Sequence, residues 1–264
     1  MSCGKRKIMN RINKIFKEKK NILSIYFTAG FPKSNDTTVI IDELQKAGVN
    51  MIEIGIPFSD PLADGPIIQH SSEVALKNGM NLKFLFQQLE KSAIKKSPAA
   101  MLLMGYFNPV LQFGVESFCK RASEVGIDGV ILPDLPIDEY LCEYKTVFKK
   151  YNLKNIFLIT PQTSVKRIRY IDKHSDGFIY MVSSASTTGT NTGIDDLKEK
   201  YFLRIKNMNL KNPLMIGFGI ENNKTFTKAC EYANGAIIGS AFIKQLQVTD
   251  YRLQIVEFVK SIRS

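Results

Sequence analysis

Glu53 and Asp64 stand eleven positions apart in the run Met51-Ile52-Glu53-Ile54-Gly55-Ile56-Pro57-Phe58-Ser59-Asp60-Pro61-Leu62-Ala63-Asp64-Gly65-Pro66, an apolar strand that passes straight into a loop of Pro and Asp. Side chains alternate across a strand, so Ile52, Ile54 and Ile56 share one face while Glu53 falls on the other with Met51 and Gly55. A carboxyl on the inner face of a buried strand is costly to ionise. Its pKa rises towards neutrality, and it can hold or release a proton there as a general acid/base. The alternative is an edge strand whose Glu53 points into solvent; the flanking isoleucines and the rigid proline loop weigh against it.

The elements that must position these carboxyls show as a repeat. A helix-like stretch ends in Gly, a hydrophobic residue follows, and Asn or Asp opens a β-rich run at Ala47-Gly48-Val49-Asn50-Met51-Ile52 and at Val125-Gly126-Ile127-Asp128-Gly129-Val130. Looser copies begin at Asp176-Gly177-Phe178-Ile179-Tyr180 and Asn234-Gly235-Ala236-Ile237-Ile238. Further strand candidates at Ile22–Phe27, Ala99–Met104, Asn155–Ile159 and Pro213–Ile216 bring the total to eight. Apolar stripes between them predict helices: Val39, Ile40, Leu44 and Ala47 after Ser34-Asn35-Asp36; Phe118, Ala122 and Val125; and, last, Leu253, Val256 and Val259. Strand and helix alternating in this way over 264 residues predict one α/β domain, a TIM (β/α)8 barrel spanning 1–264 with an extra N-terminal helix. An open doubly wound sheet would carry a G-x-G-x-x-G turn after its first strand. This chain has Thr28-Ala29-Gly30-Phe31-Pro32 there.

In a barrel, the carboxyl ends of the strands converge on one face. Strand 2 brings Glu53 there, and its loop brings Asp60 and Asp64. Strands 7 and 8 end in Gly217-Phe218-Gly219 and Gly239-Ser240, where backbone N–H groups can approach an anion and Ser240 can open a short helix. Either glycine pair alone reads as a turn; the two together on adjacent strands predict a phosphate site. The loop 183–193 is rich in Ser, Thr and Gly without an apolar anchor, and its place on the same face predicts a mobile lid rather than an idle surface loop. Tyr180, Tyr106 and Phe27, near the ends of strands 6, 3 and 1, can offer flat apolar surface to an aromatic substrate or serve simply as core.

The formal charge of +11 raises nucleic-acid binding as a function, and its distribution argues against it. Residues 1–20 carry eight Lys and Arg against one Glu, and only +4 is spread over the remainder. Within that segment Ile8, Ile12, Ile15 and Phe16 describe a basic amphipathic helix, which more readily caps a core than grips a polyanion or a membrane. No apolar run or signal pattern appears, so a cytoplasmic location is expected. Cys3, Cys119, Cys142 and Cys230 are scattered and read as reduced, mostly buried thiols; His70 and His174 lack a ligand pattern, and no metal is expected.

The run from Met51 to Pro66 closely resembles the signature of the tryptophan synthase alpha chain family. Similarity extends through Phe27-Thr28-Ala29-Gly30, Met104-Gly105-Tyr106-Phe107-Asn108-Pro109, Pro133-Asp134-Leu135-Pro136 and the two glycine sites. The resemblance implies a lyase that splits indole-3-glycerol phosphate into indole and glyceraldehyde 3-phosphate by reverse aldol cleavage. It implies Glu53 as acid/base, and Asp64 as the carboxylate that accepts the indole N–H and stabilises the charge developing there. Gly219, Gly239 and Ser240, joined by Gly189, then form the phosphate cradle, Phe218 belongs with the strand 7 glycines, and Tyr180 and Thr188 position substrate and Asp64. It further implies no cofactor in this chain and a pyridoxal-phosphate beta chain as partner in an α2β2 heterotetramer, reached through Asp60, Pro61 and Asn108. The lid departs from the family pattern in Ser186-Thr187, just before Thr188-Gly189.

Other phosphate-handling barrels want other residues. A metal epimerase needs histidines at strand ends, and the synthase that makes indole-3-glycerol phosphate needs lysines inside the barrel. A third reading, a catalytically idle barrel kept to activate a partner, fits poorly with the presence of both Glu53 and Asp64.

Overall fold

The computed structural model describes residues 9–62, 64–182, 196–217, 219–248 and 250–264. Eight parallel strands close into a barrel in sequence order: β1 (Ile22–Thr28), β2 (Met51–Gly55), β3 (Ala100–Met104), β4 (Gly129–Ile131), β5 (Lys154–Ile159), β6 (Ile179–Val182), β7 (Leu214–Gly217) and β8 (Gly235–Ile238). The seam is β1 with β8, Ile22 beside Gly235. This is the TIM-barrel architecture that the repeat predicts.

The helix α1 (Arg11–Glu18) precedes the barrel, and around it run α2 (Asp36–Lys46), α3 (Pro66–Lys77), α4 (Leu82–Glu90), α5 (Phe107–Phe113) and α6 (Val115–Val125). Then come α7 (Ile137–Glu139), which passes through a π turn at Tyr140–Tyr144 into α8 (Lys145–Lys150), and α9 (Val165–His174), α10 (Asp196–Asn207), α11 (Asn223–Cys230), α12 (Ser240–Gln245) and α13 (Tyr251–Arg263). The stripes predicted on α2 and α6 are buried where Ile40, Leu44, Phe118, Ala122 and Val125 lie. On α13 the predicted face is off by part of a turn. Leu253 is exposed, and Ile255, Phe258, Val259 and Ile262 face the core.

Alternation along the strands divides the core in two. Leu23, Ile25, Phe27, Ile52 and Ile54 face the helices, while Ile22, Met51, Leu102, Ile131, Ile156, Phe178, Tyr180 and Met215 fill the barrel. The foot of the barrel is closed by α1, whose Ile12 and Ile15 join the inner cluster and whose neighbour Phe16 packs on Phe178. Polar groups lock this plug in place. Arg11 donates from Nε to Asp128 Oδ2 at 2.8 Å and from Nη1 to the Ile94 carbonyl at 2.6 Å, with a further bond to the Gly126 carbonyl. Asn10 caps α1 by accepting from Ile12 N–H and donates to the Asp128 and Asn152 carbonyls. Residues 1–8 of the basic segment lie outside the described residues.

No helix among the described residues is long and apolar enough to cross a membrane. Of the cysteines, Cys119 is buried, Cys230 half-buried and Cys142 exposed, so the expectation of burial fails for Cys142, which sits in the π turn on the helix layer.

Candidate active site

At the carboxyl ends of the strands a cavity of about 70 Å³ is walled by Tyr26, Asp64, Tyr180, Gly219, Gly239 and Ser240, with Ile68, Met104, Ile220 and Ile237 as its apolar lining. Six different strands or their loops therefore contribute: β1, β2, β3, β6, β7 and β8. Ser240 begins α12 directly after β8, and Gly219 adopts a φ of +75°, a left-handed conformation that glycine takes without steric cost. Backbone from the strand 7 and strand 8 loops thus faces the same space as Asp64.

Asp64 is held by three elements. Its N–H donates to the Pro61 carbonyl at 3.0 Å, its own carbonyl accepts from Gln69 Nε2 at 2.8 Å, and its Oδ2 accepts from the Tyr106 hydroxyl at 3.3 Å. Tyr106 stacks on Phe58 with ring centroids 4.9 Å apart. Burial pushes the Asp64 carboxyl up to about 6, against the opposing pull of the Tyr106 hydrogen bond. Tyr106 therefore approaches the site through Asp64 and is not part of the cavity wall.

Glu53 is fully buried on the inner face of β2, as the alternation predicts, and the edge-strand alternative is excluded. Its carboxyl is not in the cavity wall. The Glu53 backbone lies beside Tyr26, and the side chain inclines to Ser24, two residues nearer the foot of β1, whose Oγ donates to Oε1 at 2.7 Å. The second oxygen, Oε2, is buried with no hydrogen-bond partner among the described residues. Burial pushes this carboxyl up to about 7, with the Ser24 bond holding it lower than burial alone would.

Two phenols lie close enough to both carboxyls to feel their charges. Tyr26 and Tyr180 both have their pKa raised, first by burial and then by the charges of Asp64 and Glu53. Their rings enter the barrel because β2 and β7 end in glycine: a Cβ on Gly55 would stand 2.3 Å from the Tyr26 hydroxyl oxygen, and one on Gly217 would stand 2.1 Å from that of Tyr180.

The expectation for Phe27 is corrected. Phe27 is fully buried in the outer layer, among the helix-facing side chains, and the ring that β1 gives to the cavity is Tyr26. One step along a strand reverses the face. Ser24 and Tyr26 were both missed by the sequence reading, although the alternation of Ile22, Ser24, Tyr26 and Thr28 with Leu23, Ile25 and Phe27 puts the polar groups of β1 on one face. Thr188, Gly189 and Phe218, and the predicted lid 183–193, lie outside the described residues.

The expected contact residues Asp60 and Asn108 are exposed, and Pro61 is half-buried. Beside them Leu62 is 87% exposed, and Leu111, one turn beyond Asn108 on α5, is 49% exposed. His70 lies in α3 and His174 closes α9, so neither stands at a strand end; Lys154 opens β5 at the foot of the barrel and pairs with Asp176.

The sequence model of the family described as tryptophan synthase alpha chain matches residues 12–261. The chain is 59% identical to the tryptophan synthase alpha chain of Flavobacterium johnsoniae over 256 residues, covering 97% of this chain and all of that one. Its fold is similar to the crystal structure of the tryptophan synthase alpha chain from Legionella pneumophila, with a TM-score of 0.85, 33% identity and coverage of 97% and 96% of the two chains. It is also similar to a chain of the tryptophan synthase complex from Pyrococcus furiosus, with a TM-score of 0.83, 31% identity and coverage of 93% and 98%.

Proposed function

This chain belongs to the tryptophan synthase alpha chain family, and we propose that Glu53 and Asp64 are the groups with which it performs that family's reaction. It is the alpha subunit of tryptophan synthase, a lyase that cleaves indole-3-glycerol phosphate to indole and glyceraldehyde 3-phosphate, and its partner is the beta chain that turns indole into tryptophan.

The cleavage breaks the bond between indole C3 and the first glycerol carbon. Protonation at C3 gives the bond electrons a sink in the ring nitrogen. Loss of the proton from the adjacent hydroxyl lets that carbon become the aldehyde as the electron pair returns to the ring. The observation that carries the assignment is the pair of carboxyls with separate environments: Glu53 dry, with one oxygen free and a pKa near 7, and Asp64 at the cavity wall, fixed by Tyr106 and ionised more readily. Glu53 supplies and removes protons once its side chain swings from Ser24 towards the mouth. Asp64 accepts the indole N–H and stabilises positive charge on the ring. Gly219, Gly239 and Ser240 hold the phosphate, with Tyr26 and Tyr180 along the substrate; Phe218, Thr188 and Gly189 are assigned to the same site from the resemblance. Asp60, Pro61 and Asn108 form the beta-chain contact, supported by the exposed Leu62 and Leu111 beside them. We further assign the chain to the cytoplasm as one domain, with 183–193 as its lid, no cofactor of its own, and an α2β2 assembly in which pyridoxal phosphate belongs to the beta chain.

Indole release from indole-3-glycerol phosphate tests this. Glu53→Gln and Asp64→Asn are each expected to cost roughly a hundredfold or more in rate while a phosphate-bearing analogue still binds. Near-normal turnover by either variant removes that residue from the mechanism.

A further inference from the structure

The stretch Pro133-Asp134-Leu135-Pro136 follows β4 on the carboxyl side of the barrel and takes no part in the cavity wall. Its backbone turns tightly. Leu135 N–H donates to the Leu132 carbonyl at 3.1 Å, and Pro133 fills the second position of the turn, which its fixed φ suits. Leu132 and Leu135 on either side are both buried. Asp134 therefore stands exposed on a turn that a proline and two apolar anchors hold in place.

Both oxygens of Asp134 turn to one donor, the Phe107 N–H at the head of α5, which reaches Oδ1 at 2.9 Å and Oδ2 at 3.0 Å. A helix commonly satisfies one of its first N–H groups with the side chain of its own N-cap residue, most often Ser, Thr, Asp or Asn. In α5 that residue is Tyr106, which makes no cap bond; its hydroxyl donates to Asp64 Oδ2 instead. The acceptor comes from the β4 loop, and a carboxylate at the amino end of a helix is favoured by the helix dipole as well. The segment that follows β4 grips Phe107 a second time, since Tyr144 of the π turn packs on its ring with centroids 5.2 Å apart.

The bond from Tyr106 to Asp64 leaves little margin. At 3.3 Å it is already long for an O–H···O hydrogen bond, so a small shift of α5 breaks it. The ladder between β3 and β4 ends in the bond from Gly105 N–H to the Ile131 carbonyl, one residue short of Tyr106, and the next tie between the two loops is Asp134. We propose that Asp134 is a positioning residue for the cleavage: by holding the Phe107 N–H it fixes the head of α5 and keeps the Tyr106 hydroxyl on the Asp64 carboxylate. This rests on the role proposed for Asp64. Asp134 itself touches no substrate, and its effect passes through Tyr106.

Indole release from indole-3-glycerol phosphate by the full chain is measured for Asp134→Ala, Asp134→Asn, Tyr106→Phe and the double variant Asp134→Ala with Tyr106→Phe, each first shown to be folded by urea unfolding. Asp134→Ala is expected to lower kcat roughly tenfold, against the roughly hundredfold that a misplacement of about 1 Å can cost. KM is expected to stay within about twofold, because the proposed phosphate cradle is untouched. Asp134→Asn keeps one acceptor oxygen for the Phe107 N–H and is expected to recover most of the rate. In the Tyr106→Phe background, Asp134→Ala is expected to cost almost nothing more, since the link it supports is already cut. Asp134→Lys, which reverses the charge at the head of α5, is expected to lose at least as much rate as Asp134→Ala and replaces it in the cycle if Asp134→Ala does not fold. An unchanged rate in Asp134→Ala or Asp134→Lys, an additive loss in the double variant, Asn no better than Ala, or a raised KM in place of a lowered kcat would each overturn the positioning role. Asp64→Asn measured alongside separates this from the reading beneath it: a near-normal rate there removes the assignment of Asp64, whereas a collapse there combined with any of those outcomes removes only the link through Asp134.

Discussion

At the scale of single residues, Glu53 is a destabilising group that the fold retains. Its carboxyl titrates at about 7 in the folded chain against an ordinary 4.5. The folded state therefore binds its proton more tightly than the unfolded state does. The sign follows: stability from this group is fully present below pH 4.5 and is lost as pH rises to about 7. The shift corresponds to roughly 3 kcal/mol at its largest. Glu53→Gln, which carries no charge to desolvate, is expected to unfold at higher urea than the unmutated chain at pH 8, with the gap closing as pH falls towards 5. An equal midpoint at pH 8 would mean that Glu53 finds a charge-stabilising partner in solution. Ser24 acts on the same carboxyl, since its hydroxyl is the one hydrogen-bond donor to Glu53 among the described residues. Ser24→Ala is expected to push the Glu53 titration higher still, visible as a displaced pH–rate profile, while Ser24→Thr restores it. A role in packing alone would leave that profile in place.

At the scale of elements, the barrel was legible because its strands and helices announce themselves by composition and by the recurring Gly-apolar-Asn/Asp junction, and the closed order β1 to β8 follows from counting them. Glu53 was legible for the same reason, as a charge at a strict inward position between isoleucines. Phe27 was misread because being near a strand end says nothing about face. Only alternation separates Phe27 from Tyr26, and in β1 every residue is buried, so hydrophobicity gives no contrast between the two sides. On α13, Leu253, Ile255, Val256, Phe258, Val259 and Ile262 form two interleaved apolar stripes, and tertiary contact with the barrel chooses one of them. The bonds of α1 were illegible in a different way, since they join Arg11 to groups more than 80 positions distant. They make the helix a structural plug. Asp128 is 9% exposed in its side chain and its charge is paired with Arg11 at 2.8 Å. Removing one partner of such a pair leaves a buried charge uncompensated, so Arg11→Ala is expected to cost roughly 3 kcal/mol in urea unfolding. A loss below roughly 1 kcal/mol, the range of surface ion pairs, would show that α1 is not tied to the barrel through this charge.

At the scale of the whole molecule, the beta-chain contact proposed here and the chemistry share one rim. Asp60 and Pro61 stand within four positions of Asp64, and the Pro61 carbonyl takes the Asp64 N–H directly. A second route runs through Asn108: it lies in the first turn of α5, and Tyr106, the residue at the head of that helix, places its hydroxyl on the Asp64 carboxylate. Pressure from a partner on either loop therefore reaches Asp64, the carboxylate proposed to meet the indole nitrogen. A beta chain that favours the placement of Asp64 needed by the transition state accelerates cleavage without bringing a catalytic group, which is a shift between states already present. Linkage makes the effect reciprocal for binding: a phosphate-bearing indole analogue that engages Asp64 must tighten the subunit complex by the factor by which the beta chain tightens the analogue. Calorimetric titration of each against the other is expected to give the same factor both ways, roughly fivefold or more. Tyr106→Phe, which keeps the ring stacked on Phe58 but removes the hydroxyl, is expected to shrink that factor. If the analogue leaves subunit affinity unchanged, the two loops do not transmit to Asp64, and activation of this chain must come from another part of the interface.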